Sequence, residues 1–221
     1  MGISLSRTLT AKRHPDGPGG VPRHSIDGTP ADAVKYGLQH ILRHNPPRLV
    51  ASGINLGPNL GLNIRCSGTV GAAFEAVCAG IMALAVSVDY VIPPDWDGAK
   101  HYARLMAEKL LAASGGGRHS EEPYVVNLNV PSKPPEEIPG LVVARQGVGG
   151  IRDLLSARPE ENGTYKLTGE WIDVPQDSDC DFAAFRAGNA VVTPLRFEMT
   201  HPRFLDHLRE HWQTETLSKT E

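Results

Sequence analysis

The 221-residue chain reads as an α/β protein, with a parallel-sheet core, helices on both faces and a C-terminal β-rich extension. Three observations predict this. The runs "RLVASG", "MALAVSV" and "YVVNLNVP" are short and largely apolar, as strands buried on both faces are. The segments before and between them are longer and carry apolar residues three or four apart, the helical period. Beyond residue 140 the pattern shifts to strand-like runs spaced by Gly, Asn and acidic turns.

Taken in order, residues 11–23 are rich in Pro, Gly and charge and read as an exposed loop. A helix follows with Thr29 as N-cap, Pro30 at its first position and Asp32 near the positive end of its dipole. Val34, Leu38, Ile41 and Leu42 share its inner face, and Pro46-Pro47 ends it. The strand "RLVASG" comes next. A second helix runs from near Ser67 to about Gly80, with Val70, Ala73, Phe74 and Val77 as its buried stripe. After "MALAVSV", residues 98–113 form a third helix with Tyr102, Leu105, Met106 and Leu110 inward. Residues 114–123 are a linker before "YVVNLNVP". "LVVARQG", "TYKLTGEWI" and "NAVVTPL" suggest an antiparallel extension, and "HPRFLDHLREHW" a closing helix. The expected division is one domain, with an α/β core over 1–139, a β-rich extension over 140–200 and a terminal helix over 201–221.

Composition narrows the function classes. A net charge of −3, mixed along the chain, gives no basic surface for a nucleic-acid polymer. No apolar run approaches the roughly 20 residues that span a bilayer, and no basic leader with an apolar stretch and cleavage site is visible. The cysteines, Cys66, Cys78 and Cys180, are scattered and form no CxxC pair, so a reducing, cytoplasmic setting is expected. Met1-Gly2 with Ser6 fits a loose myristoylation pattern, and Asn162-Gly163-Thr164 a glycosylation sequon that matters only in a secreted chain.

The chemistry gathers in "SGINLGPNLGLNIRCSGTVGAA", residues 52–73. In an open parallel sheet, ligands bind beyond the carboxyl ends of the strands, and this stretch leaves such an end. Glycines at 53, 57, 61 and 68 permit tight turns and close approach of backbone to ligand. Asn55 and Asn59 offer amide oxygens suited to a hard divalent cation or a ligand hydroxyl. Ser67, Gly68 and Thr69 fall at a helix start, where unpaired N–H groups favour an anion such as phosphate. The plainer readings are a helix cap for the Ser-Gly-Thr run and turn residues for the asparagines. Cys66 reads as a small buried residue rather than a thiolate nucleophile. His24 and Asp27 read as a solvated pair rather than an acid–base couple. Arg145-Gln146 ends a strand, where Arg145 is either solvated or an anion contact.

The blocks "DGTPADAVKYGL", "LVASGINLGPNLG" and "CSGTVGAAFEAVCAGIMALAVS", in this order and spacing, resemble the SurE family of metal-dependent nucleotide phosphatases. "VVNLNVP", "ARQG" and "AFRAGNAVVTPL" extend the resemblance over nearly the whole chain. It implies a Rossmann-like core, a β-rich arm used in dimer or tetramer formation, a nucleoside monophosphate substrate and a divalent cation, Mg²⁺ or Mn²⁺. It implies Asn55 as a metal ligand, Ser67, Gly68 and Thr69 as the phosphate site, and Gly53 and Asn59 as residues that shape the loop. Family members also carry a strand ending in an Asp-Asp pair and a ligand Ser ahead of the segment where this sequence starts, at "MGISLSRTLT". The resemblance therefore implies a sequence incomplete at its N-terminus, with an unpaired gap in the sheet centre and no assignable catalytic residue. The leading expectation is a 5′-nucleotidase, inactive as written. Its rivals are a non-catalytic phospho-ligand binder and a structural subunit.

Overall fold

The computed structural model describes residues 2–113, 124–155, 163–172 and 178–212. The first element is a hairpin. Strands β1 (Ala11–His14) and β2 (Arg23–Ile26) pair antiparallel, with Ala11 opposite Ile26 and His14 opposite Arg23. This corrects the exposed loop expected over 11–23. The Pro- and Gly-rich turn signal is real but occupies only the hairpin's tip, where Gly17 N–H donates to Val21 O at 2.8 Å. The arms are short, charged and largely exposed, so they show no apolar alternation.

Helix α1 (Pro30–Tyr36) starts where its capping signals lie. Thr29 Oγ1 accepts from Asp32 N–H at 3.2 Å, and Asp32 Oδ2 accepts from Thr29 N–H at 2.8 Å, a reciprocal capping box. The helix then widens into a π turn at Gly37–Ile41, closed by Leu42 N–H to Gly37 O at 2.8 Å. The wider turn breaks the 3.6-residue phase. Ile41 and Leu42, expected inward, are consequently exposed at 38% and 37%.

The central sheet has five strands in the order β3-β4-β5-β9-β6. Strands β3 (Leu49–Leu56), β4 (Met82–Val88) and β5 (Tyr124–Val130) are parallel. Helix α2 (Gly68–Cys78) joins the first pair and α3 (Asp97–Ala113) the second. Along β4 the side chains divide by parity. Leu84, Val86 and Val88 pack with Val126, Leu128 and Val130 against Tyr102, Met106 and Leu110 of α3. Ala83 and Ala85 face the other way, against Val70, Ala73, Ala76 and Val77 of α2, with Val34 and Leu38 of the first helical segment beside them. Small residues on both sides of that contact bring α2 close to the sheet.

Two of the three strand-like runs beyond residue 140 belong to this sheet. Strand β9 (Ala190–Arg196) lies antiparallel to β5, and β6 (Leu141–Val143) parallel to β9. Ala190, Val191 and Val192 are buried, as in a central strand. Strands β7 (Gly150–Leu155) and β8 (Leu167–Ile172) form a separate antiparallel hairpin. Helices α4 (Asp181–Arg186) and α5 (Pro202–Trp212) flank β9 in sequence. The sheet has no gap at its centre, contrary to expectation. Each crossover adds its strand on the same side, so β3 is the edge, and Ala51 and Gly53 there are exposed.

Candidate functional site

The site is built at the carboxyl ends of β3, β4 and β5. The first strand runs further than its apolar core suggests, so Gly53 and Asn55 are strand residues and not loop residues. The ladder to β4 shifts register between Ser52 and Asn55. At the shift Gly53 has φ 127°, and a side chain there would collide with the Val86 carbonyl. Asn55 sits opposite Ser87, and its Nδ2 donates to Gly57 O at 2.7 Å. That bond fixes the amide and leaves Oδ1 as the oxygen offered to a ligand.

Beyond Asn55 the chain is held on two sides. Asn59 is 8% exposed. Its backbone N–H donates to Asn129 Oδ1 at 2.7 Å and its Nδ2 to Ser87 Oγ at 2.7 Å. Its carbonyl accepts from Asn127 Nδ2 at 2.9 Å and from Asn129 Nδ2 at 3.1 Å. Two residues on, Gly61 N–H donates to the buried Asp181 Oδ2 at 2.9 Å, and Gly61 O accepts from Gln146 Nε2 at 2.8 Å. The other Asp181 oxygen accepts from Gly147 N–H and Phe182 N–H, both at 2.8 Å. Leu60, between the two anchors, packs with Ala144, Phe185 and Val191. Beneath the loop, Asn127 Oδ1 and Thr193 Oγ1 are buried with no partner, on residues directly opposite across β5 and β9.

Ser67 is the N-cap of α2, its Oγ accepting from Val70 N–H at 3.1 Å. Gly68 and Thr69 are the first two helical residues, whose N–H groups have no acceptor within the helix. A side chain on Gly68 would come within 3.1 Å of Pro30 Cγ, so the bare residue lets the start of α1 abut the start of α2. Asp32, in that corner, also accepts from Ser4 N–H at 2.9 Å. The Ser4 N–H first, then that of Thr29, holds its carboxyl well below the usual carboxylate range.

A resident Mg²⁺ or Mn²⁺ takes about six oxygens, usually with one or two carboxylates among them. Among the described residues no three His, Cys, Asp or Glu side chains gather. Three acids within or near α1 and β4 in sequence each accept a backbone N–H. Asp27 accepts from Thr10 N–H at 2.7 Å, Asp32 closes the capping box, and Asp89 accepts from Tyr90 N–H at 2.8 Å. Among the described residues only Asn55 matches a ligand that the resemblance implies, and one neutral amide does not by itself fit such an ion.

The remaining candidates fall outside the site. His24 lies 3.5 Å from the Tyr36 hydroxyl and is not paired with Asp27, whose other contact is Arg7 at 3.7 Å. Cys66 is exposed rather than buried, closing the 3-10 turn Gly61–Cys66. Arg145 pairs with Asp179 at 2.9 Å. Asn162 of the sequon lies outside the described residues. The residues that sequence reasoning missed are Ser87, Asn127, Asn129 and Asp181. For Asn127 and Asn129 the signal was the N-L-N alternation within an apolar strand, which sets two amides on one face; Ser87 and Asp181 carried no such pattern.

The family model described as "Survival protein SurE" matches residues 1–153. Similar curated relatives include a protein of Carboxydothermus hydrogenoformans, 36% identical over 84% of this chain and 69% of its own length. A protein of Heliobacterium modesticaldum is 38% identical over 80% of this chain and 64% of its own. One of Desulfatibacillum aliphaticivorans is 38% identical over 96% and 82%. Each of the three is named 5′-nucleotidase SurE. The crystal structure of SurE from Aquifex aeolicus superposes with a TM-score of 0.75 at 30% identity, over 95% of this chain and 82% of that one. The chain belongs to the SurE family.

Proposed function

We propose that the protein is a SurE-type 5′-nucleotidase, a phosphoric monoester hydrolase acting on nucleoside 5′-monophosphates. The observation that carries this is the rigid turn after β3, which sets the Asn55 amide at the same sheet edge as the open N-terminus of α2. The first-turn N–H groups of Gly68 and Thr69, with the Thr69 hydroxyl, receive the phosphoryl oxygens and stabilise the charge that builds in the transition state. Ser67 contributes by fixing the helix start, since its hydroxyl already accepts from Val70 N–H. Gly53 and Asn59 set the path of the chain between these groups. The family likeness and the Asn55 oxygen support a divalent cation, Mg²⁺ or Mn²⁺, as cofactor. No step is assigned to it, because the described residues do not complete its site.

The same reading includes a homo-oligomer, dimer or tetramer, in the cytoplasm, where cysteines such as the exposed Cys66 and Cys78 stay reduced. It takes the chain as one domain, divided at about 140 and 200. A second reading, a non-catalytic phospho-ligand binder, is favoured by the lack of an acidic cluster among the described residues. Phosphate release from a panel of nucleoside monophosphates with Mg²⁺ or Mn²⁺, measured beside equilibrium binding, tests both. These 221 residues are expected to bind the nucleotides and turn them over little. Robust turnover abolished by EDTA would mean that acids elsewhere, or from a partner subunit, complete the site. Absence of binding would overturn both readings.

A further inference from the structure

The segment after β4 carries an apolar patch that is left exposed by the described residues. Tyr90 is 65% exposed, Val91 46% and Ile92 72%. Such residues in a row on a surface loop lose favourable burial unless something covers them. The loop is nevertheless held at both ends. At its start Asp89 N–H donates to Val130 O at 3.0 Å, and the Asp89 carboxylate accepts from Tyr90 N–H at 2.8 Å. At its end Asp95 N–H donates to Ser132 Oγ at 2.7 Å. Pro93 and Pro94 stiffen the stretch between. The apolar side chains are thus presented on a braced loop.

The loop's position identifies what it would meet. A β-carbon placed on Gly57 would lie 3.9 Å from Tyr90 Cδ2 and 3.8 Å from Asn55 Nδ2. The Tyr90 ring and the Asn55 amide therefore flank one bare glycine, at the carboxyl edge where the phosphate would sit. Resting on the nucleotidase reading, we infer that Tyr90 is the stacking platform for the substrate's nucleobase, with Ile92 extending the apolar surface. A purine or pyrimidine presents a flat π-face to the ring, and every base has one. The contact selects for a nucleoside over a bare sugar phosphate without reading base identity.

The test is equilibrium binding of adenosine 5′-monophosphate and of ribose 5-phosphate to the full chain, as wild type, Tyr90→Ala and Tyr90→Phe. Wild type should prefer the nucleotide. Tyr90→Ala should weaken nucleotide binding about 5- to 150-fold, the range one base–aromatic stack supplies. Ribose 5-phosphate binding should be unchanged in that variant, which a general loosening of the loop would not leave intact. Tyr90→Phe should keep the preference. Equal binding of the two ligands to wild type, or an undiminished preference in Tyr90→Ala, overturns the platform and leaves the phosphomonoester site standing. If neither ligand binds, the nucleotidase reading fails and the platform with it.

Discussion

Replacing Asp181 by alanine tests whether the turn after β3 is held from the far end of the chain. The carboxylate is fully buried and accepts three backbone N–H groups, those of Gly61, Gly147 and Phe182, at 2.8–2.9 Å. Truncation strands these donors in a dry site, and each stranded donor costs about 1–3 kcal/mol. The donors share one acceptor, so their costs do not simply add, and about 3–5 kcal/mol is expected in total. For a chain of this size 1 kcal/mol moves the melting temperature by roughly 2–4 °C, giving a fall of about 6–20 °C. Asp181→Asn keeps Oδ1 for Gly147 and Phe182 but turns an amide N–H₂ towards Gly61 N–H. It loses one charge-assisted bond, about 1.5–3 kcal/mol, and should fall between wild type and the alanine variant. Calorimetric melting of the three proteins at neutral pH decides the matter. A melting point for Asp181→Ala within about 2 °C of wild type would refute the claim that this carboxylate pins the turn.

Three further outcomes are expected. Thr69→Val should weaken inorganic phosphate binding roughly 10- to 100-fold, the loss of one charge-assisted hydrogen bond, with unchanged circular dichroism; equal affinity removes Thr69 from the anion site. In a version of the protein that also carries the family's Asp-Asp pair, Asn55→Ala should raise the Mn²⁺ needed for half-saturation by about an order of magnitude, read from the free-ion electron paramagnetic resonance signal, and superimposable isotherms exclude Asn55 as a ligand. Asp32, held well below its ordinary value of 3.8 by Ser4 N–H and Thr29 N–H, contributes stability that is complete above that value. That contribution is lost as the pH falls from there through the folded value, so Asp32→Asn should be less stable at neutral pH and lose less on acidification. Parallel pH profiles for the two proteins would contradict this.

The fold was legible where local signals and burial agree. "MALAVSV" is apolar at every position but one and became β4 with the same limits, because a strand covered on both faces needs no polar side. Thr29, Pro30 and Asp32 marked the start of α1 because a capping box is a local device. The hairpin of β1 and β2 was hidden for the converse reason. Its arms are exposed, so nothing selects an alternating pattern, and the proline- and glycine-rich tip dominates the composition. The phase slip at Gly37–Ile41 was equally silent, since a π turn leaves apolar spacing intact in sequence and rotates it in space.

Of the candidate site, only the half proposed to face a ligand could be named from the sequence. Gly53, Asn55 and Ser67 announce themselves by residue type, whereas the groups that give them a fixed geometry come from elsewhere. Asn129 lies 70 positions from Asn59, and Asp181 lies 120 from Gly61. No local pattern near residue 60 encodes either contact. The turn cannot take this shape until β5 has joined the sheet and α4 has docked, because the acceptors for Asn59 N–H and Gly61 N–H are carried there. Its backbone donors would otherwise be satisfied by water in a mobile loop. The polar side chains spent beneath the turn, in a sheet otherwise apolar on that face, exchange some burial for a single conformation. Preorganisation of this kind is what an anion site needs, since donors already in place need not reorganise when charge appears. In this chain that order is therefore imposed by long-range pairing, and the glycines permit the path without determining it.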